Sequence, residues 1–224
     1  MGWWIADWWS ADRGPVIVTS WVFWVITSIV LHELSHGWAA IRAGDRTPIY
    51  TGHMTWNPLV HMGHISLIMF ALMGIAWGAM PVNPSAFRGR YDEAKVAGAG
   101  PAMNLAIALV CMVVASVWGA FGGFGVDDHV YQTVMIFFTL GCALNITLML
   151  FNLIPVPPLD GSKIVAEFVP AYRRVIDHPH VQIGAFVLFL ILFQGAGGKL
   201  FSFGFNITGE MIHTIASKIR PLTP

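Results

Sequence analysis

Apolar residues along this chain gather into long runs separated by short polar links. Residues 15–41, 96–121 and 131–154 form three runs long enough to cross a bilayer as helices, for which about 20 apolar residues suffice. Residues 181–200 make a further run, weakened at its end by Gly195, Gly197 and Gly198. The run at 64–80 is of marginal length and could dip into the bilayer and return rather than span it. Residues 201–219 carry Glu210, His213 and Lys218 among apolar positions and read as an interfacial helix. At the other end, Trp3, Trp4, Trp8 and Trp9 place aromatic rings on one side of a short helix, which suits the bilayer surface.

The links add two features. Residues 42–57 are rich in Thr, Ile, Tyr and Trp and are broken by Gly52, which predicts a short β-hairpin over 47–55. Residues 155–180 form a proline-punctuated loop too long to be a bare connection. The pattern therefore predicts an all-α polytopic membrane protein, with about four to six transmembrane or re-entrant helices and a small membrane-associated β-hairpin. Its expected organisation is an interfacial N-terminal segment (1–14), a membrane core holding the candidate chemistry (15–165), and a C-terminal helix or helices (166–224).

Composition agrees with the bilayer as solvent. Hydrophobic residues make up 56% of the chain and charged residues 11%, against roughly 25% charged in a soluble domain. Twelve basic and twelve acidic residues cancel, which argues against a nucleic-acid partner. Cys111 and Cys142 both lie in apolar runs and suggest neither a disulfide framework nor a CxxC metal site. Nine histidines in so apolar a chain need a reason, because ionisable groups at membrane depth are expensive.

The sharpest cluster is His32-Glu33-Leu34-Ser35-His36, an HExxH pattern inside the first long run. Histidines four positions apart on a helix share one face and can reach one Zn²⁺, with the intervening Glu placed to activate water. A third protein ligand is needed, and Asp160 is the candidate, held after Pro155, Pro157 and Pro158 and before Gly161. Taken alone, Asp160-Gly161 also reads as an ordinary turn. Asn104 and Asn145, deep in apolar runs, could simply hydrogen-bond neighbouring helices. His61 could bind a metal, orient a ligand, or anchor at the interface.

These pieces together resemble the site-2 protease family of intramembrane zinc metalloproteases. The HExxH at 32–36 and Leu159-Asp160-Gly161 match, as do Gly100-Pro101-Ala102-Met103-Asn104 and the stretch from Thr55 through Asn57-Pro58 to His61. The likeness runs in order over roughly residues 17–165, with no segment like a PDZ or CBS module. It implies Zn²⁺ held by His32, His36 and Asp160, with Glu33 as general base. The substrate it implies is a transmembrane protein or peptide, cleaved in or near its membrane segment. It also makes Asn104 and Asn152 candidate substrate or oxyanion contacts, and His61 a supporting residue. The distal motif departs from the family's usual Asn-Pro-Asp-Gly, since Asn152 stands eight positions before Asp160. The alternative reading is a membrane metal-binding or transport protein using the same ligands without hydrolysis. Repeated halves, expected of a transporter, are not evident.

Topology offers an independent check. If all four runs up to residue 154 spanned, the first and last would be antiparallel, and His36 and Asp160 would lie on opposite faces. If 64–80 returns, the two ends meet. Arg42, Arg46, Arg88, Arg90, Lys95, Lys163, Arg173 and Arg174 then share one side, with Arg13 opposite. That is the positive-inside pattern. It places the site toward the cytoplasmic side of what the resemblance implies is a prokaryotic inner or plasma membrane.

Overall fold

The computed structural model describes residues 4–122 and 125–220, and every regular element among them is helical. Trp3, and with it the first part of the expected interfacial segment, lies outside the described residues. A short helix, α1 (Trp4–Trp9), leads into α2 (Gly14–Ala43), with α3 (Thr47–Tyr50) and α4 (Pro58–Met73) following. After a single 3-10 turn at Pro84–Ala86 come α5 (Asp92–Phe121) and α6 (Asp128–Asn152). The chain ends in α7 (Asp160–Phe168), α8 (Pro170–Ile176) and the 41-residue α9 (Pro179–Ile219). Among the described residues, three helices are long and apolar enough to cross a membrane: α2, α5 and α6. The protein is an integral membrane protein.

Small residues let these three approach closely. Ser20, Ser28 and Ala40 of α2, Ala97, Ala108, Cys111 and Ala115 of α5, and Gly141, Cys142 and Ala143 of α6 are all buried. Lipid tails are as apolar as leucine, so packing at small side chains and interhelical hydrogen bonds hold such a bundle together. Trp24 of α2 donates its indole N–H to the Phe137 carbonyl of α6 at 2.8 Å. Gly119 of α5 lies beside Met135 of α6, while Asn104 of α5 pairs with Asn145. Thus α5 runs antiparallel to both others, and α2 and α6 run parallel.

The short run is a hairpin of helix and extended chain. Helix α4 kinks at Gly63 (φ 67°, ψ 171°) and ends at Gly74, whose φ of 73° favours a residue without a side chain. The chain then turns back along α4. Ser66 Oγ donates to the Trp77 carbonyl at 2.7 Å and accepts the Trp77 N–H at 2.9 Å. The Ala79 N–H donates to the His61 carbonyl at 2.9 Å. These bonds satisfy backbone groups that non-helical chain would otherwise expose at membrane depth. The returning chain meets the end of α2, where Arg88 N–H donates to the Ala43 carbonyl. Segment 58–83 therefore enters and leaves on one side, as the shared-face requirement demands.

Two expectations are corrected. The β-hairpin over 47–55 is absent: this stretch forms α3 and a turn. Pro48 sits in the first turn of α3, and Asp45 Oδ1 accepts the Thr47 N–H at 2.8 Å. That local start of a helix outweighs the β-propensity of Thr, Ile and Tyr. Residues 201–219, expected at the interface, continue α9 as one helix and pack on the bundle. Thr208 and Ile212 are buried, and Gly204 lies against Thr147 and Ala143 of α6.

Asp45 fastens the hairpin to α2. It is 1% exposed, and its other oxygen accepts the Asn83 N–H at 2.6 Å. Burial alone would raise this carboxyl's pKa. The hydrogen bonds from Asn83 and Thr47 outweigh burial and hold it below the ordinary carboxylate value. Its stabilisation is thus present above the ordinary carboxyl range, about pH 4, and is lost as pH falls through the lowered value. Asp45→Asn should destabilise the protein by about 1–3 kcal/mol at neutral pH, since an amide N–H would face a backbone N–H. Thermal exposure of the buried Cys111 and Cys142 thiols to a thiol-reactive dye measures this, and the gap to the parent should narrow below about pH 4.

Candidate metal centre

The HExxH residues sit in the last three turns of α2, the part that faces α5. His32, Glu33 and His36 are each 8% exposed. One turn of helix brings the two rings together, with centroids 4.7 Å apart and Nε2 atoms at 3.0 Å. Asp160, the first residue of α7, completes the group. Its Oδ2 lies 3.1 Å from His32 Nε2 and 3.3 Å from His36 Nε2. All three ligand atoms fall within 4.8 Å of one another.

The loop after α6 places that carboxylate. Ser162 Oγ donates to the Leu159 carbonyl at 2.6 Å, closing the first turn of α7. Gly161 packs directly on the Leu153 carbonyl, so a side chain there would push α7 away. Farther out, Arg173 Nη2 donates to Glu93 of α5 at 2.8 Å and to Glu167 of α7 at 3.0 Å. Tyr172 Oη donates to the Pro155 carbonyl at 2.8 Å. Helices α7 and α8 are thereby tied to the start of α5.

The donor set suits a divalent metal on the structure's own terms. His36 Nδ1–H donates to the Val96 carbonyl of α5 at 2.7 Å, and His32 Nδ1 is 2.6 Å from Asn104 Oδ1. With Nδ1 so engaged, each ring turns its Nε2 lone pair toward Asp160, the arrangement that supports histidine ligands. Two imidazoles and a carboxylate are a zinc donor set that leaves a position open. Space is provided by Gly100, where a Cβ would sit 2.5 Å from His36 Nε2 and closer still to His32 Nε2.

The other candidates fall at different distances from this cluster. Asn104 touches it, although fully buried and bonded at both ends of its amide. Asn152, half-buried in the last turn of α6, donates Nδ2 to the Leu148 carbonyl of its own helix at 3.0 Å. His61 donates Nε2–H to the Thr55 carbonyl at 2.7 Å, and its buried Nδ1 has no partner among the described residues. Two participants are invisible to side-chain reasoning because they are backbone: the Val96 carbonyl, and the chain at Gly78. A Cβ on Gly78 would lie 2.6 Å from Glu33 Oε1. Asn145, readable as an interhelical bonding residue, does bond Asn104 at 2.9 Å.

Gly100→Ala should drive a methyl group onto both Nε2 atoms while leaving the α5 backbone helical. Zinc affinity, measured by competition with a chromogenic chelator, should fall by more than the roughly 10–100-fold that loss of a supporting hydrogen bond costs.

Several known proteins are similar to this chain. Residues 127–195 match the profile of Peptidase family M50. "Putative zinc metalloprotease YwhC" of Bacillus subtilis is 33% identical over 181 residues, covering 77% of this chain and 78% of that protein. "Putative zinc metalloprotease Rip2" of Mycobacterium tuberculosis is 26% identical over 186 residues, covering 80% of this chain and 66% of that protein. "Putative zinc metalloprotease MJ0611" of Methanocaldococcus jannaschii is 25% identical over 163 residues, covering 73% of this chain and 77% of that protein. No solved structure matches. A third of the residues identical over more than three quarters of both chains, with a His-His-Asp cluster buried among apolar helices, places the chain in Peptidase family M50, the site-2 protease family of zinc metalloproteases.

Proposed function

We propose that this protein hydrolyses peptide bonds in or near the transmembrane segments of other membrane proteins. His32, His36 and Asp160 would hold Zn²⁺, and Glu33 would act as general base. The observation that carries the proposal is the convergence of three ligand atoms within 4.8 Å, beside a buried glutamate, inside a bundle of apolar helices. The chemistry a zinc ion supplies in such a site is Lewis acidity, polarising the scissile carbonyl and making an attacking water more acidic. Glu33 Oε1 takes the proton of that water and delivers it to the departing amine nitrogen. Asn152, near the site at the end of α6, is the candidate contact for the developing oxyanion, exchanging its bond to Leu148 for one to substrate.

A helical substrate hides its peptide bonds, so it must unwind to be cut. The returning chain after Gly74 offers a surface for the unwound segment. Trp77 and Ala79 direct their amides to α4, whereas Gly78 lies against Glu33 and Met80 beside Gly37 of α2. One side of this extended stretch is thus bound and the other faces the reacting groups, an arrangement suited to β-type pairing with substrate. Residues 15–165 would form the catalytic core, 1–14 an interfacial segment, and 166–224 the C-terminal helices that support it. The basic residues at the active-site end of the bundle favour a site opening to the cytoplasm, in a prokaryotic inner or plasma membrane.

Glu33→Gln should retain zinc and lower cleavage of a reconstituted transmembrane substrate by about 10²–10⁴-fold. Cleavage at the parent rate would remove the general-base role and favour metal carriage over hydrolysis. Gly78→Ala should likewise keep zinc, yet cut kcat/KM by about 10²-fold by displacing the Glu33 carboxylate.

A further inference from the structure

The amide of Asn104 belongs to a longer chain of hydrogen bonds whose direction can be deduced. A backbone carbonyl only accepts. The atom of Asn145 that lies 2.8 Å from the Gly141 carbonyl oxygen is therefore its amide nitrogen, Nδ2. Asn145 Oδ1 then faces Asn104 and must be met by Asn104 Nδ2, at 2.9 Å. That turns Asn104 Oδ1 toward His32 Nδ1, at 2.6 Å, where a ring N–H has to fill the gap. Either amide could be turned over in isolation. Anchored on a carbonyl, the sequence reads in one sense only.

We infer that Asn145 is a positioning residue for the metal site: through Asn104 it keeps the His32 ring proton on Nδ1 and the Nε2 lone pair turned to His36 and Asp160. Both asparagines are fully buried, so water does not compete for their groups. The anchor is walled off as well, since a Cβ on Gly141 would meet Trp24 Nε1 at 2.7 Å. The Trp24 indole N–H is itself engaged by the Phe137 carbonyl. His36 obtains the same constraint in one step from Val96 of α5. His32 obtains it in three, from a carbonyl on α6. Without Asn145, Asn104 Nδ2 loses its acceptor, the amide is free to turn over, and an N–H facing Nδ1 would drive the ring proton to Nε2, where a metal must bind.

The inference rests on the reading of His32 as a metal ligand, and a set of four variants of the full-length protein in detergent micelles separates the two. Asn145→Ser can still bond the Gly141 carbonyl but is too short to reach Asn104. It should bind zinc roughly 10–100-fold more weakly by chelator competition, and the Co²⁺-loaded protein should show altered visible bands. Asn145→Asp, ionised or neutral, still offers Asn104 an acceptor and should restore both readouts toward the parent. Cys142→Ala opens a comparable gap on the same helix without touching the chain of amides, and should leave both unchanged. Zinc binding by Asn145→Ser at parental affinity would overturn the inference. So would equal weakening in Asn145→Asp or Cys142→Ala. His32→Ala tests the underlying reading: parental affinity there would mean that His32 is no ligand, whereas its loss beside an unaffected Asn145→Ser would leave the ligand standing and remove the positioning role.

Discussion

Two imidazoles and two carboxylates lie buried where the solvent is hydrocarbon, and much of the architecture follows from that. A charged or polar group at such depth costs several kcal/mol unless it is paired. Here the pairing comes from four helices at once. Helix α2 brings His32, Glu33 and His36; α5 brings the Val96 carbonyl, Asn104 and the open space at Gly100; α6 brings Asn145; α7 brings Asp160. Removing any one helix leaves a buried donor or acceptor without its partner. Site and bundle therefore stabilise each other, and the small residues lining α2, α5 and α6 allow the backbones close enough for the bonds to form.

The same requirement dictates topology. Asp160 follows α6 and the histidines lie in the C-terminal half of α2, so those helices must point the same way, and an odd number of crossings must lie between the two helices. With α5 as the antiparallel partner between them, no room remains for another crossing between α2 and α5. The intervening apolar segment has to return, and it can do so only if its non-helical half is bonded. Ser66 and the His61 carbonyl meet that need for Trp77 and Ala79, and Asp45 holds the exit at Asn83. The extended chain that results passes Glu33. A structural necessity thus delivers backbone to the place where an unwound substrate would need a partner.

How much of this can be read from residues alone depends on what each residue interacts with. The cluster was legible because its members are ionisable and out of place in apolar runs, and because two of them obey helical spacing. The return of 64–80 was legible from charge and geometry, with no contact known. The hairpin at 47–55 was misread because β-propensity describes how a side chain fits a half-buried pleated surface, and the described residues hold no strand for it to pair with. Asp45 and Pro48 begin a helical turn instead. The tail at 201–219 was misread because Glu210 and Lys218 suggested an interface, while Gly204 and Thr208 let this helix approach α6. The Val96 carbonyl and the backbone at Gly78 leave no mark in side-chain chemistry at all.

Buried polar groups in this bundle are not treated alike. Ser28 of α2 and Ser116 of α5 are fully buried, and their hydroxyls have no partner among the described residues. A hydroxyl at a helix contact is small enough to pack like alanine, and leaving it unpaired costs little beyond its own desolvation. Asn104 and Asn145 are larger and carry two donors each, so they would be far worse choices as packing residues. Asn104 has both ends of its amide bonded, and the bonds lead from the ring of His32 to a carbonyl on a different helix. Packing alone would be served by alanine or leucine at both positions. What those residues could not supply is a preference between the two nitrogens of an imidazole, and a metal site built on Nε2 requires that preference.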